Sequence, residues 1–303
     1  MRLGISPGKF AFPIRVSYAV EEWREALISH PREAVAACLE EARKQGIEPA
    51  AVGLATAGWV DSASGRVVYA TENLPGWTRA DLVTRLRETF GLPVAVENDA
   101  NALAIAEKHF GAAKSARDFV CMTLGTGVGG GVYVGGHLNH GHHFLGNALG
   151  HVPIEPGDRS CTCGLSGCLE AYTNAAALLR YAAAGNYSSA EQVIAAAYAG
   201  DSTAPEATRT YARFPAMGCA AVVSLLDPEL LILGDGLSQN NPLLASRLTE
   251  DLGKRVMVWK ERKLEIVLSS LGYSAGVLGA AALASSLLPE IPGEKYQANR
   301  IQD

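Results

Sequence analysis

Two hydrophobic periods trade places along this chain. In residues 31–45 (PREAVAACLEEARKQ), Val35, Cys38, Leu39 and Ala42 recur at three- and four-residue spacing, which predicts a helix with one buried face, and Gly46 predicts its end. Residues 51–55 are a short apolar run, read as a buried strand that breaks at Ala57-Gly58. SASGRVVYA, after Val60, predicts a hairpin turning at Ser64-Gly65. Residues 79–90 predict a helix stopped by Gly91, and 92–98 a strand that leads into a helix starting near Asp99. Further on, 118–124 and 130–138 predict strands on either side of a glycine loop. The Ala-rich stretch 175–225 reads as mostly helical, 229–236 and 264–271 as strands, and 275–288 as a helix of small residues suited to close packing.

Strands alternating with helices predict an α/β fold. The polar segment FGAAKSARD marks a boundary near Lys114 and Ser115. The expected organisation is an N-terminal α/β domain over 1–114, joined by the C-terminal residues from about 285 to 303, and a larger α/β domain over 115–284. The Pro-interrupted polar tail after Leu288 is expected to fray.

Composition narrows the function classes. The chain has 303 residues, 48% of them hydrophobic and 19% charged, enough for a sizeable core and unlike a disordered segment. The formal net charge is -5 with no cluster of Lys or Arg, so a nucleic-acid partner is not expected. No apolar run approaches the ~18 residues of a membrane span. MRLGISPGKF lacks the apolar core of a signal peptide. A cytoplasmic protein without membrane partners is the expectation.

Of the six cysteines, Cys161, Cys163 and Cys168 fall close together while Cys38, Cys121 and Cys219 are scattered. That distribution suits metal ligands better than a disulfide framework. With His151 the three thiols form a Cys₃His set, which closes a tetrahedral zinc shell and leaves no position for a reactive water, so a structural zinc is expected. His140, His142 and His143 also lie within reach by spacing, and buried free thiols stay open as the alternative.

LGTGVGGG (124–131) sits between two predicted strands. Its glycines let backbone N–H groups approach phosphate oxygens, and Thr126 adds a hydroxyl. The run is neither a Walker A loop nor a dinucleotide fingerprint. Glu97-Asn98-Asp99 closes a predicted strand, where open α/β sheets bind ligands. Asp99 has two readings: a base that takes the proton of an attacking hydroxyl, or a helix N-cap.

Taken together, ENDANALA (97–104), LGTGVGGG (124–131), GHVPIEPGDRSCTCGLSGCLEAY (150–172) and LGYSAGVLGAAALA (271–284) resemble the ROK family of sugar kinases and repressors. AVGLATAGWVDSASGRVVYATENLPGW (51–77) fits the same family. The resemblance implies a two-domain actin-like ATPase (ribonuclease H-like) fold with a cleft between domains. It implies transfer of the ATP γ-phosphate, with Mg²⁺, to a hexose or N-acetylhexosamine. Asp99 would be the general base. Asn98, His151, Glu170, Asn73 and Gly58 would face the sugar, and Gly125, Thr126, Gly127, Gly129, Gly236 and Gly276 the nucleotide. His151, Cys161, Cys163 and Cys168 would hold Zn²⁺, and the chain would pair as a homodimer.

Three positions depart from the family pattern. Ser6-Pro7-Gly8-Lys9 stands where the family carries Asp-x-Gly-Gly-Thr. Ala148 replaces a sugar-binding Glu before His151, a loss of ~1.5–3 kcal/mol of sugar affinity for one charge-assisted hydrogen bond. Asp235 lies between Gly234 and Gly236, in a glycine run near the nucleotide, where it either points to solvent or opposes phosphate. A kinase and a sugar-binding pseudokinase or sensor are therefore both carried forward.

Overall fold

The structure, a computed structural model, describes residues 3–6, 9–11, 23–72 and 74–289. Asn73 and the Pro7-Gly8 pair lie outside the described residues, as does the tail from 290. The backbone forms two compact units. One comprises Met1–His109, His140–Gly146 and Ser274–Asp303, the other Phe110–Asn139 and Asn147–Tyr273.

In the first unit β1 (Leu3–Ser6) pairs antiparallel with β2 (Lys9–Ala11). Helix α1 spans Trp23–Lys44, eight residues longer at its start than the sequence predicts, and runs through Pro31. Proline removes one backbone donor and usually marks a helix start, and here the helix continues past it. β3 (Val52–Thr56) runs parallel to β6 (Val94–Asn98), with Ala55 opposite Glu97 and Thr56 opposite Asn98. Between them lie the hairpin β4 (Trp59–Asp61) and β5 (Arg66–Tyr69) and helix α2 (Leu82–Phe90). The Asp81 side chain caps α2 by accepting the Thr84 N–H, and Gly91 ends it at φ 67°. Helix α3 (Asp99–Phe110) follows β6 without a loop. The core gathers Val35 and Leu39 of α1, Val52, Val60, Val67, Val94 and Val96 of the strands, and Trp77, Leu82 and Leu86.

The second unit is built on a five-stranded sheet ordered β11-β10-β7-β8-β9. Its strands are β7 (Phe119–Leu124), β8 (Val128–Val134), β9 (His137–Leu138), β10 (Leu230–Gly234) and β11 (Glu265–Leu268). β7, β8 and β9 form an antiparallel meander, while β10 lies parallel to both β7 and β11. The single strand expected over 130–138 is instead two. Gly135 and Gly136 take φ 62° and 90° and turn the chain in a two-residue hairpin. Helices α4 (Glu170–Thr173), α5 (Ala175–Tyr181), α6 (Ala190–Tyr198), α7 (Ala204–Leu226), α8 (Pro242–Gly253) and α9 (Trp259–Arg262) complete the unit. Tyr211, Ala212, Ala216, Cys219 and Val223 of α7 join Val120, Met122, Leu231 and Leu233 of the sheet in one core.

The chain then returns to the first unit as α10 (Ala275–Ser286). The helix sits so close to its neighbours that a Cβ on Gly279 would stand 1.8 Å from the Ala102 carbonyl oxygen of α3. No described helix is long and apolar enough to cross a membrane.

Candidate functional site

In the first unit the chemistry gathers where β6 becomes α3. Asn98 supplies the helix cap: its Oδ1 accepts the N–H groups of Ala100 at 2.9 Å and Asn101 at 3.1 Å. Its Nδ2 donates to the Gly58 carbonyl at 2.8 Å and to Asp99 Oδ1 at 3.1 Å. Gly58, Asn98 and Asp99 are thus brought together. Asp99 is the first residue of α3, exposed, and its Oδ1 also accepts the Ala100 N–H at 2.9 Å. Capping, one of the two readings of Asp99, is carried mainly by its neighbour. The helix N-terminus favours the Asp99 carboxylate through its dipole.

Glu97 breaks the apolar run of β6 and is only 1% exposed. Its Oε1 accepts the Asn98 N–H at 2.8 Å and Asn101 Nδ2 at 3.0 Å. Its Oε2 meets His140 Nε2 at 2.8 Å, and Ser62 Oγ lies 3.3 Å from the same nitrogen. His140, which by sequence spacing could have joined the metal ligands, is instead the partner of a buried carboxyl group. His142 and His143 are exposed and meet edge to face. Loop 140–146 closes through the Gly146 N–H, which donates to the His140 carbonyl at 2.9 Å.

In the second unit, donor atoms of His151, Cys161, Cys163 and Cys168 all lie within 4.8 Å of one another. Cys161 Sγ is 3.5 Å from His151 Nδ1, and Cys163 Sγ is 3.6 Å from Cys168 Sγ. A tetrahedron with metal–sulfur bonds of ~2.3 Å has edges of ~3.8 Å, and these two pairs stand close to that edge length. Burial, with the two neighbouring thiols, pushes the Cys168 thiol up to about 12. His140 lies in the other unit, which leaves His151 as the imidazole of the set.

The loop that carries these donors is anchored by aromatic packing. The Arg159 guanidinium lies 4.4 Å from the Tyr172 ring centroid and 5.4 Å from that of Tyr181, and Nη1 donates to the Tyr181 hydroxyl at 2.9 Å. The Tyr172 hydroxyl donates to Asp158 Oδ2 at 2.6 Å, and both tyrosines stack on Phe214. Burial and the Asp158 carboxylate push the Tyr172 hydroxyl up. A Cβ on Gly167 would strike the Glu155 carbonyl oxygen at 2.1 Å, so glycine is required where the loop closes at φ 78°.

Glu170 ties that loop to the glycine loop. Its Oε1 accepts the Thr162 hydroxyl at 2.9 Å and its Oε2 the Val128 N–H at 3.0 Å. The loop itself is shorter than the sequence suggests. Gly129, Gly130 and Gly131 belong to β8, opposite Thr123, Met122 and Cys121, and the Gly129 N–H donates to Thr123 Oγ1 at 2.8 Å. Gly125, Thr126 and Gly127 alone form the turn, with Thr126 and Gly127 exposed. Gly125 is pinned through its carbonyl by the Ala175 N–H at 2.8 Å. Asp235 does not turn away from this turn: its Oδ2 is 2.5 Å from where a Cβ on Gly125 would sit. Gly236 is next to it in the same unit, whereas Gly276 lies in α10 of the first unit with nothing within 4 Å of its Cβ position. Ala148 opens the 3-10 turn Leu149–His151, its carbonyl accepting the His151 N–H at 2.9 Å.

Sequence reasoning passed over Glu97 and Arg159 as functional or supporting residues. A carboxyl group in an otherwise apolar strand is a readable signal for the first. Arg159 carries no such signal, because its partners lie 13 and 22 residues further along the chain.

Comparison with known proteins yields a consistent set. The profile of the ROK family matches residues 15–286. A glucokinase of Streptomyces coelicolor is 34% identical over 272 residues, covering 83% of this chain and 85% of that protein. A glucokinase of Thermotoga maritima is 33% identical over 279 residues, covering 86% and 88%. Among solved structures, a ROK family glucokinase from Streptomyces griseus, in complex with glucose and AMPPNP, superposes with a TM-score of 0.79 at 32% identity, over 92% of this chain and 93% of that one.

Proposed function

The chain belongs to the ROK family and has its two-domain actin-like ATPase fold, and from that premise we propose that it is an ATP-dependent kinase of a hexose or N-acetylhexosamine. The observation that carries this reading is Asp99. It is an exposed carboxylate at the carboxyl end of a parallel strand, with the helix cap supplied by Asn98 beside it. In the proposed reaction the sugar hydroxyl oxygen attacks the γ-phosphorus and the bond from that phosphorus to the ADP oxygen breaks. The hydroxyl proton passes to the Asp99 carboxylate. Asn98 holds Asp99 in place through Nδ2 and, with Gly58, His151, Glu170 and Asn73, contacts the sugar. Gly125, Thr126 and Gly127 meet the phosphates, with Gly236 and Gly276 on the nucleotide side; Gly129, whose N–H is held by Thr123 within β8, drops out of that set. Mg²⁺, when bound with ATP, neutralises phosphate charge.

His151, Cys161, Cys163 and Cys168 hold a structural zinc in this reading, and the donor spacing supports it. Through Glu170, which reaches both Thr162 and Val128, the metal loop keeps the glycine loop in register. Elemental analysis of folded protein is expected to give one zinc per chain, and a metal-free folded protein overturns the assignment. The reading also carries a cytoplasmic homodimer, which sedimentation at micromolar concentration tests.

Mg-ATP with a panel of hexoses and N-acetylhexosamines is expected to release ADP, and Asp99→Asn to lower kcat by about 10²–10⁴-fold. Equal ADP release from the two proteins overturns the assignment of Asp99. A second reading, a sugar-binding pseudokinase, is favoured by Asp235 against Gly125 and by Ala148. Sugar binding that ATP leaves unchanged, with no ADP formed, selects it.

A further inference from the structure

The Gly125–Gly127 turn has an acid on each flank. β10 runs parallel to β7 with Gly234 opposite Thr123, and the Leu237 N–H donates to the Leu124 carbonyl at 2.9 Å. The turn after β10 is therefore fastened to the residue that opens the glycine loop. In that turn Asp235 takes φ 71°, and its Oδ1 accepts the Gly236 N–H at 2.8 Å. Its Oδ2 is directed at Gly125, and on the other flank Glu170 Oε2 lies 3.0 Å from the Cβ position of Gly127. The two acids differ in how they are engaged. Glu170 bonds Val128 and Thr162, which join two loops, whereas the bond to Asp235 comes from its own neighbour. Among the described residues no ion pair neutralises Asp235.

Building on the nucleotide reading above, we infer that Asp235 makes the glycine loop selective for a metal-complexed polyphosphate over the free polyanion. Backbone N–H groups in a tight turn attract phosphate oxygens. A bare triphosphate drawn to them meets the Asp235 charge across a few ångströms and is repelled. A divalent cation on the phosphates cancels most of that charge and offers oxygen-seeking coordination positions, so the same carboxylate turns from a repulsive group into an attractive one. Discrimination against the free polyanion then comes from an introduced repulsion, not from an added contact.

The test is equilibrium dialysis of the full chain with labelled ATP, without sugar, at low ionic strength, once in excess Mg²⁺ and once in EDTA. Wild type is compared with Asp235→Asn and Asp235→Gly, since Asn and Gly both tolerate the left-handed backbone at this position. Wild type is expected to bind Mg-ATP at least ~10-fold tighter than ATP in EDTA, and both variants to gain roughly 3–10-fold in EDTA and narrow that ratio. Inorganic tripolyphosphate, run the same way, is expected to follow the same order. A ratio unchanged in both variants overturns the inference and leaves the nucleotide site standing. Absence of binding in every protein, with and without Mg²⁺, overturns the nucleotide reading and the inference together.

Discussion

Glu97 and His140 stand 43 residues apart in the chain and 2.8 Å apart in space. The pair holds loop 140–146 against the end of β6, next to the Asn98–Asp99 turn. His140→Ala removes the partner of Oε2 on a carboxyl group that is 1% exposed. The expected loss is about 1–3 kcal/mol in urea unfolding. His140→Gln, which keeps a donor in reach, is expected to recover part of it. Equal stability of all three proteins shows that water replaces the imidazole at no cost.

Asp81 predicts a pH dependence. Burial opposes ionisation of its carboxyl, but the Thr84 N–H and hydroxyl and the Arg66 guanidinium outweigh it and hold the group below the usual carboxylate range. A depressed folded pKa means that the capping contribution is complete above the ordinary Asp value of ~4. It is lost as pH falls through the lower, folded value. Asp81→Ala is expected to destabilise by about 1 kcal/mol at pH 7, and by clearly less near pH 2.5. Chemical denaturation at both pH values checks it, and a pH-independent difference refutes the ionic part of the cap.

Arg159 ligates nothing in the proposed metal site but packs on Tyr172 and Tyr181 beside it. Its removal leaves all four donors in place and loosens the loop that aims them. Arg159→Ala is expected to weaken zinc retention against a chromogenic chelator by about 10-fold, within the range for residues that support metal ligands. Arg159→Lys, which keeps the charge and loses the planar stack, is expected to fall between. Wild-type retention in both variants would detach the stack from the metal loop.

Helix α10 offers a matched pair of glycines. A Cβ at Gly279 meets the Ala102 carbonyl oxygen at 1.8 Å, while one at Gly276 meets nothing within 4 Å. Gly279→Ala must push the helix off α3 and is expected to cost about 1–3 kcal/mol. Gly276→Ala is expected to be neutral or to stabilise by up to about 1 kcal/mol through helix propensity. Urea midpoints of the two variants decide the matter, and equal midpoints refute the packing account.

Much of the scaffold was legible because it follows local rules. Short apolar runs located β3, β6, β7 and β10, and a run of small residues located α10, to within a few residues. The close spacing of Cys161, Cys163 and Cys168 marked them as candidate metal ligands. Where local rules are ambiguous, the reading drifted. Pro31 looked like a helix start but lies inside α1, and Gly135-Gly136 split an expected strand. The strand expected from 130 begins two residues earlier, so Val128 and Gly129 pair with β7 as well, because a sheet accepts glycine once its neighbours supply the partner strand.

What the chain's order of residues determined on its own was the set of chemical groups: an α/β frame, three thiols and an imidazole at metal spacing, a glycine turn, and an acid at a strand end. Tertiary structure decided how each group is used. It gave the cap of α3 to Asn98 instead of Asp99, sealed Glu97 against a histidine 43 residues away, and turned Asp235 toward Gly125. Charge and hydrogen-bonding capacity are properties of a side chain, but pairing depends on which distant backbone arrives beside it, and no local pattern encodes that.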